Sequence, residues 1–283
     1  MNGRDDAPAW VRYLFLLTAM AFVVVLLLLP ALNVLVQAFA KGLGGYVSAA
    51  TDKDTLHAVF LTTAVALIAI AINTVFGVAA SWAITKYEFW GKTLLVSLID
   101  LPFSVSPVVS GLIYVLTFGV DTALGSWLDT HNIQILYAAP GIILATTFVT
   151  FPFVAREVMP VMEAVGSDQE EAALTLGASG WQTFWQITLP DIKWGVLYGV
   201  ILCGSRAMGE YGAVSVVSGR ITGKTDTMSL RVEKLYQEYQ TQAAFTVASL
   251  LLFLAFVTLA VKAAVEWRLR RALAEAARRP EAR

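Results

Sequence analysis

Two charged residues lie where charge is expensive. Arg206 and Glu210 fall inside "GSRAMGEYGAVSVVSG", the continuation of an otherwise apolar run. At a helix centre in hydrocarbon such a side chain costs about 2.5–3.5 kcal/mol, so it normally faces a protein interior or a water-filled path. Their spacing of four puts both on one face of a helix. Two readings are open: the pair neutralises itself, or it lines and braces a gate for an anion. A second stretch, "LPFSVSPVVS", has Pro102 and Pro107 flanking Ser104 and Ser106, with Ser110 a turn further on. Proline removes a backbone donor, so this run predicts either a broken helix that lines a cavity or a static kink. The serine hydroxyls suit an oxyanion, although serines also bond their own helix backbone.

Bond-making chemistry finds no comparable support. No serine, cysteine or acid pair sits in a catalytic signature, so no catalytic residue is assigned. One cysteine, Cys203, and two histidines, His57 and His131, supply neither a second thiol nor the four ligands of a structural zinc site. No metal is expected. The phosphate-cradling pattern GxxxxGK[ST] is absent, so ATP is not bound by that route and no cofactor is expected in this chain.

The elements that must position these residues follow from composition. Of 283 residues 57% are hydrophobic and 14% charged, against about 25% charged in soluble domains. This is a membrane chain, and its net charge of −1 suggests no nucleic-acid partner. A hydrocarbon core about 30 Å thick needs about 20 apolar residues per helix. Six runs meet that need, at about 13–38, 58–85, 94–118, 136–158, 192–217 and 243–266. The expected organisation is an N-terminal tail over 1–12, a six-span domain over 13–266 and a basic tail over 267–283. "AFAK" at the end of the first run resembles a cleavage site, but the run is far longer than a signal peptide's and holds Pro30, so a retained span is expected. Lys and Arg mark the cytoplasmic side. Lys262, Arg268, Arg270, Arg271, Arg278, Arg279 and Arg283 crowd the C-terminal end, so both termini are expected in the cytoplasm. The 218–242 loop is then outward despite Arg220, Lys224, Arg231 and Lys234. It reads as a membrane-lying segment or, more sharply, as a basic surface facing an anion.

The same assignment makes residues 167–190, "SDQEEAALTLGASGWQTFWQITLP", part of a cytoplasmic loop too long for a simple connector. Ser167 with Glu170 predicts a capping box, Gly177 a left-handed stop, and Ser179 with Gln182 a second capping box. Two short helices around a sharp corner are expected, the second ending before Pro190. Ala172, Ala173, Leu176 and Ala178 offer a small apolar surface that another protein can approach closely. A hairpin resting on lipid is the plainer alternative.

Glu171-Ala172-Ala173, three residues, Gly177, nine residues, then Ile187, Leu189 and Pro190 resembles the EAA loop of ABC importer permeases. "VQAFAKGL", "LPFSVSPVVSGLIY", "HNIQIL", "TFVTFPFVAREVMPVM" and "RAMGEYGAVSVVSG" extend the resemblance, from about residue 13 to the end of the sixth run, to W-type sulfate/thiosulfate permeases. The T-type sister and molybdate permeases share several of these stretches. The resemblance implies an all-α membrane protein of the type I ABC importer permease fold, with six transmembrane helices and a cytoplasmic coupling loop. It implies that Glu170, Glu171, Ala172, Ala173, Gly177, Ile187, Leu189 and Pro190 dock on an ATPase, and that Arg206, Glu210, Ser104 and Ser106 line or gate the path.

The implied partners are a T-type sister permease, two cytoplasmic ABC ATPase subunits carrying ATP and Mg2+, an external sulfate/thiosulfate-binding protein, and membrane lipid. The implied place is the bacterial inner membrane. The implied work is uptake of sulfate and thiosulfate, with a molybdate-type or other oxyanion permease as the near alternative. From another class, an ion-coupled secondary carrier is the rival. Against it, no inverted repeat of broken helices is evident and the docking loop would lack a purpose.

Overall fold

A computed structural model describes the backbone of residues 9–278 and the side chains of 10–268. Arg279 and Arg283 of the expected basic tail lie outside the described residues. Among those described, the chain is helical throughout, with no strand. Five helices are long and apolar enough to cross a membrane: α1 (Trp10–Ala38), α3 (Lys53–Lys86), α7 (Ala139–Val165), α9 (Gly180–Met208) and α12, whose apolar part is Thr241–Arg268. A sixth crossing is a bent pair, α4 (Lys92–Ser104) and α5 (Pro107–Phe118), whose axes differ by 109°. Short helices fill the connections: α2 (Gly42–Ala50), α6 (Ala123–Thr130), α8 (Asp168–Thr175), α10 (Gly212–Val217) and α11 (Met228–Gln237).

Proline explains three features. Val24–Leu28 and Phe184–Thr188 are wider π-helical turns, each ending just before a proline, Pro30 and Pro190. The proline ring cannot donate to, and crowds, the carbonyl four residues back. Widening the turn accommodates the ring, so the helix continues. The second helix of the insert therefore does not end before Pro190 as the sequence suggests; it runs unbroken into α9. At Pro107 the outcome is the opposite. Val105 and Ser106 are extended, with ψ of 132° and 135°, the conformation that a following proline favours. The chain breaks there instead of kinking.

Packing centres on α7, which touches α3, α4, α5, α9 and α10. Without water between helices, close approach is what holds a membrane bundle together, and small residues permit it. Val154 of α7 is wedged between two glycines: a Cβ on Gly77 of α3 would lie 2.8 Å from the Val154 Cβ, and one on Gly199 of α9 would lie 2.9 Å from the Val154 Cα. A buried polar tie crosses the same three helices. Asn73 Nδ2 donates to Thr150 Oγ1 at 2.8 Å and Thr147 O at 3.1 Å, and lies 3.6 Å from Cys203 Sγ. Cys203 is thus a buried packing residue with weak polar contacts to Asn73 and Thr150. α1 is different: none of its apolar window is buried, and its second half packs on α12.

Candidate coupling and translocation sites

The insert between α7 and α9 is built on specific bonds. Gly166, at φ 74°, turns the chain out of α7. Ser167 does not make the expected capping box with Glu170; its hydroxyl donates to Glu171 Oε1 at 2.8 Å instead. Glu170 is occupied elsewhere. Its Oε1 accepts from Thr188 Oγ1 at 2.6 Å in the π-turn of α9, and its Oε2 pairs with Lys86 Nζ, at the end of α3, at 3.0 Å. Lys86 also donates to Gly166 O. One carboxylate therefore fastens α8 to two long helices, and Lys86 is the partner that sequence reasoning missed. It lies 84 positions from Glu170, so no local pattern announces it.

The corner of the insert closes in two layers. Gly177, at φ 88°, donates to Leu174 O and Ala178 donates to Ala173 O, both at 3.0 Å. This satisfies the last carbonyls of α8 by the left-handed glycine stop. Ser179 then caps α9 with Gln182 in a complete capping box. Ala173 is half-buried against this frame, as are Ile187 and Leu189, while Ala172, Gly177 and Pro190 are exposed. Leu176 stands 89% exposed at the tip, with Leu174 and Trp181 also exposed beside it. A braced scaffold thus presents apolar side chains away from its own bundle.

The second site lies where two broken helices meet. α9 stops at Met208, not near 217, and α10 begins at Gly212. Glu210 therefore lies in a break and not inside one continuous helix. The pair still forms: Arg206 Nη1 approaches Glu210 Oε2 at 2.5 Å, an ion contact without an aligned hydrogen bond. The other oxygen, Glu210 Oε1, accepts from Ala213 N at 2.9 Å at the start of α10. The carboxylate holds the break closed while neutralising Arg206. Its side chain is 1% exposed, whereas that of Arg206 is 35% exposed, so the cation is the accessible partner.

The α4–α5 break sits against this one. A Cβ on Gly212 would lie 2.8 Å from Pro107 Cβ, and one on Gly111 would lie 2.7 Å from Ala213 O. The two glycines let α5 and α10 approach backbone to backbone. Ser104 and Ser106 are exposed at the break, while Ser110 is buried and donates back to Ser106 O at 3.2 Å. The structure therefore gathers Arg206, Glu210 and the Ser106–Pro107 junction into one region.

Three of the four bases expected to form a surface over 218–242 are engaged within the chain, while Lys224 stands exposed. Arg220 pairs with Glu233 at 3.1 Å, Arg231 with Asp52 at 2.9 Å, and Lys234 donates to Thr222. Asp54 and Asp226 also face Arg231, at 3.8 and 3.9 Å. Asp52 doubles as the N-cap of α3, so Arg231 ties α11 to the start of that helix. Asp226 is fully buried, and burial pushes its carboxyl above the ordinary aspartate range against the pull of Arg231.

A family model described as the binding-protein-dependent transport system inner membrane component matches residues 73–271. The chain belongs to this family. Its permease relatives include the sulfate transport system permease protein CysW of Escherichia coli strain K12. That protein is 49% identical over 260 residues, covering 92% of this chain and 89% of the relative. The CysT permease protein of the same strain is 38% identical over 235 residues, covering 83% and 85%. A bacterial alginate ABC transporter, solved in complex with an alginate pentasaccharide-bound periplasmic protein, superimposes with a TM-score of 0.75. It is 18% identical and covers 93% of this chain and 95% of that one, so it speaks to fold. The fold is that of the type I ABC importer permeases. Within the family the chain is a permease component of an ABC transporter, a multi-helix protein of the inner membrane. That membership does not favour the secondary carrier.

Proposed function

We propose that the chain is one permease half of an ATP-driven importer of sulfate, with thiosulfate as a second cargo, and that residues 167–190 are the loop through which an ATPase drives it. The 49% identity with a sulfate permease over 92% of this chain carries the choice of substrate. The sister subunit is of the T type, which the 38% identity with CysT supports. Two ATPase subunits hold ATP and Mg2+, and an external protein delivers the anion; the neighbouring alginate transporter's periplasmic partner is consistent with that arrangement. The permease domain is 13–266. The insert faces the cytoplasm together with both termini, as the Lys and Arg residues near the C-terminus favour.

The bracing of the insert gives this reading a mechanism. Leu174, Leu176 and Trp181 offer an apolar contact for the ATPase around the Gly177 corner. Movement of α8 passes through Glu170 to Thr188 on α9 and to Lys86 on α3. α9 is continuous over 29 residues, about 43 Å at 1.5 Å per residue. A displacement at the insert thus arrives at Arg206 and the Glu210 break with no hinge between. Ile187, Leu189 and Pro190 lie in or just after the widened turn, and Glu171 steadies Ser167 at the start of α8. At the far end, Arg206 offers the positive charge an oxyanion needs, and Ser104 and Ser106 offer hydroxyls at the adjoining break.

Gly177→Val tests the coupling role. No neighbour lies within 4 Å of a Cβ built there, so the cost within the chain is the left-handed backbone alone, about 1–3 kcal/mol. The variant is expected to enter the membrane at normal levels and lose both sulfate uptake and co-purification with the ATPase. Normal uptake would remove Gly177 from the docking surface.

A further inference from the structure

A second intramembrane ion pair lies apart from Arg206 and Glu210. Arg156 of α7 grips Asp100 of α4 with both prongs, Nε to Oδ1 at 2.8 Å and Nη2 to Oδ2 at 2.7 Å. Phe103 lies under the guanidinium at 5.1 Å. Arg156 is nine residues from the end of α7 and Asp100 eight residues from the start of α4. At 1.5 Å per residue both sit about 12–14 Å along their helices from the insert end, Arg156 just inside the inner end of the apolar run that closes near 158. Yet their side chains are 51% and 35% exposed on this chain. A charge pair left this open on membrane-crossing helices belongs against water or another protein and not against lipid.

The pair is connected to the first site. Asp100 lies one turn before Ser104 on the same face of α4, and Ser104 adjoins the break that packs on Gly212. A Cβ on Gly199 would lie 3.4 Å from Glu157 Cβ, which sets Arg156 level with that part of α9. Arg206 is seven residues further along, about 10 Å away along the axis. Two arginine–carboxylate pairs therefore stand in series, one at the meeting of the breaks and one nearer the insert.

We propose that Arg156 is the inner oxyanion station of the path, with Asp100 as its exchangeable counterion; this rests on the sulfate-permease reading above. The guanidinium fork fits two oxygens of a tetrahedral dianion as it fits a carboxylate. An arriving sulfate takes the place of the Asp100 carboxylate, and Asp100 returns to the fork when the anion leaves. The resting pair is neutral, so the station carries no uncompensated charge between cargoes.

The test is equilibrium binding of labelled sulfate to the nucleotide-free complex of both permeases and the ATPases, without the binding protein. Asp100→Asn keeps the size of the side chain and removes the competing charge, so it is expected to tighten binding by about tenfold. Arg156→Lys keeps the charge and loses the fork, so weaker binding than wild type is expected. Unchanged affinity in both variants, or weaker or absent binding in Asp100→Asn, overturns the proposal and leaves a clamp between α4 and α7. Should Asp100→Asn fail to assemble, Arg156→Lys decides the matter alone, and wild-type affinity there overturns the proposal. ATP-dependent uptake by the wild-type complex reports separately on the permease reading: its absence would remove the basis, whereas its presence with unaltered binding would sink only the inner station.

Discussion

Glu170 is where the coupling account is most exposed to experiment. Replacing it with alanine removes the acceptor of Thr188 Oγ1 at 2.6 Å and the partner of Lys86 at 3.0 Å. A hydrogen bond to a charged group contributes about 1.5–3 kcal/mol. The ion pair is largely covered, with side chains 10% and 16% exposed, so it is screened less than a surface pair. Together they are worth about 3 kcal/mol for holding α8 on α3 and α9. The bundle itself rests on α7 and should not respond. Local opening of the insert would become easier by about two orders of magnitude, at 1.4 kcal/mol per factor of ten. The assay is hydrogen exchange of the amides of 168–178 in detergent, with those of α7 as reference, alongside ATPase co-purification. Glu170→Gln keeps an acceptor for Thr188 and loses the ion pair, so it should fall between. Exchange in the insert that matches wild type in Glu170→Ala would refute the brace.

Other consequences are equally direct. Arg206→Ala should lower uptake by about tenfold or more while the complex still assembles, because Ala213 N–H remains on Glu210; unaltered kinetics would return Arg206 to a packing role. Gly111→Ala puts a Cβ 2.7 Å from Ala213 O, an overpacking cost of about 1–3 kcal/mol that should lower the thermal midpoint and slow uptake. Gly44→Ala, with open space around it, should do neither, and an equal effect at both sites would discredit the contact between the breaks. The buried Asp226 carboxyl is raised above its ordinary range, so the folded chain keeps that proton to higher pH than the unfolded one. The contribution of this group to stability is full below the ordinary aspartate range and is lost as pH rises through the raised value. Asp226→Asn should flatten that fall in a series of thermal midpoints, and an unchanged slope would assign it to other groups.

Local signals were legible in the sequence and distant partners were not. Gly177, Ser179 and Gln182 announce their turn and cap because each acts within a few residues. The apolar runs announce the long helices because hydrocarbon tolerates little else. The Glu170 capping box failed because Lys86 and Thr188 compete for the same carboxylate, and neither is local to it. Arg231 looked like part of a basic surface because Asp52 and Asp54, about 180 positions away, supply its counterions only in the fold. The end of α9 was placed too late because Gly209, Glu210 and Tyr211 leave the apolar pattern almost intact while a single carboxylate turns the chain. Asp100 and Arg156 passed unnoticed for the same reason as Lys86: each is one charge in a separate run, and only packing of α4 on α7 makes them a pair.

The most direct measurement is uptake of labelled sulfate into vesicles that hold this chain with its sister permease, ATPase and binding protein. The account predicts accumulation that requires ATP, is competed by thiosulfate, and is little affected by molybdate. Uptake that ignores ATP, or competition by molybdate alone, would contradict it.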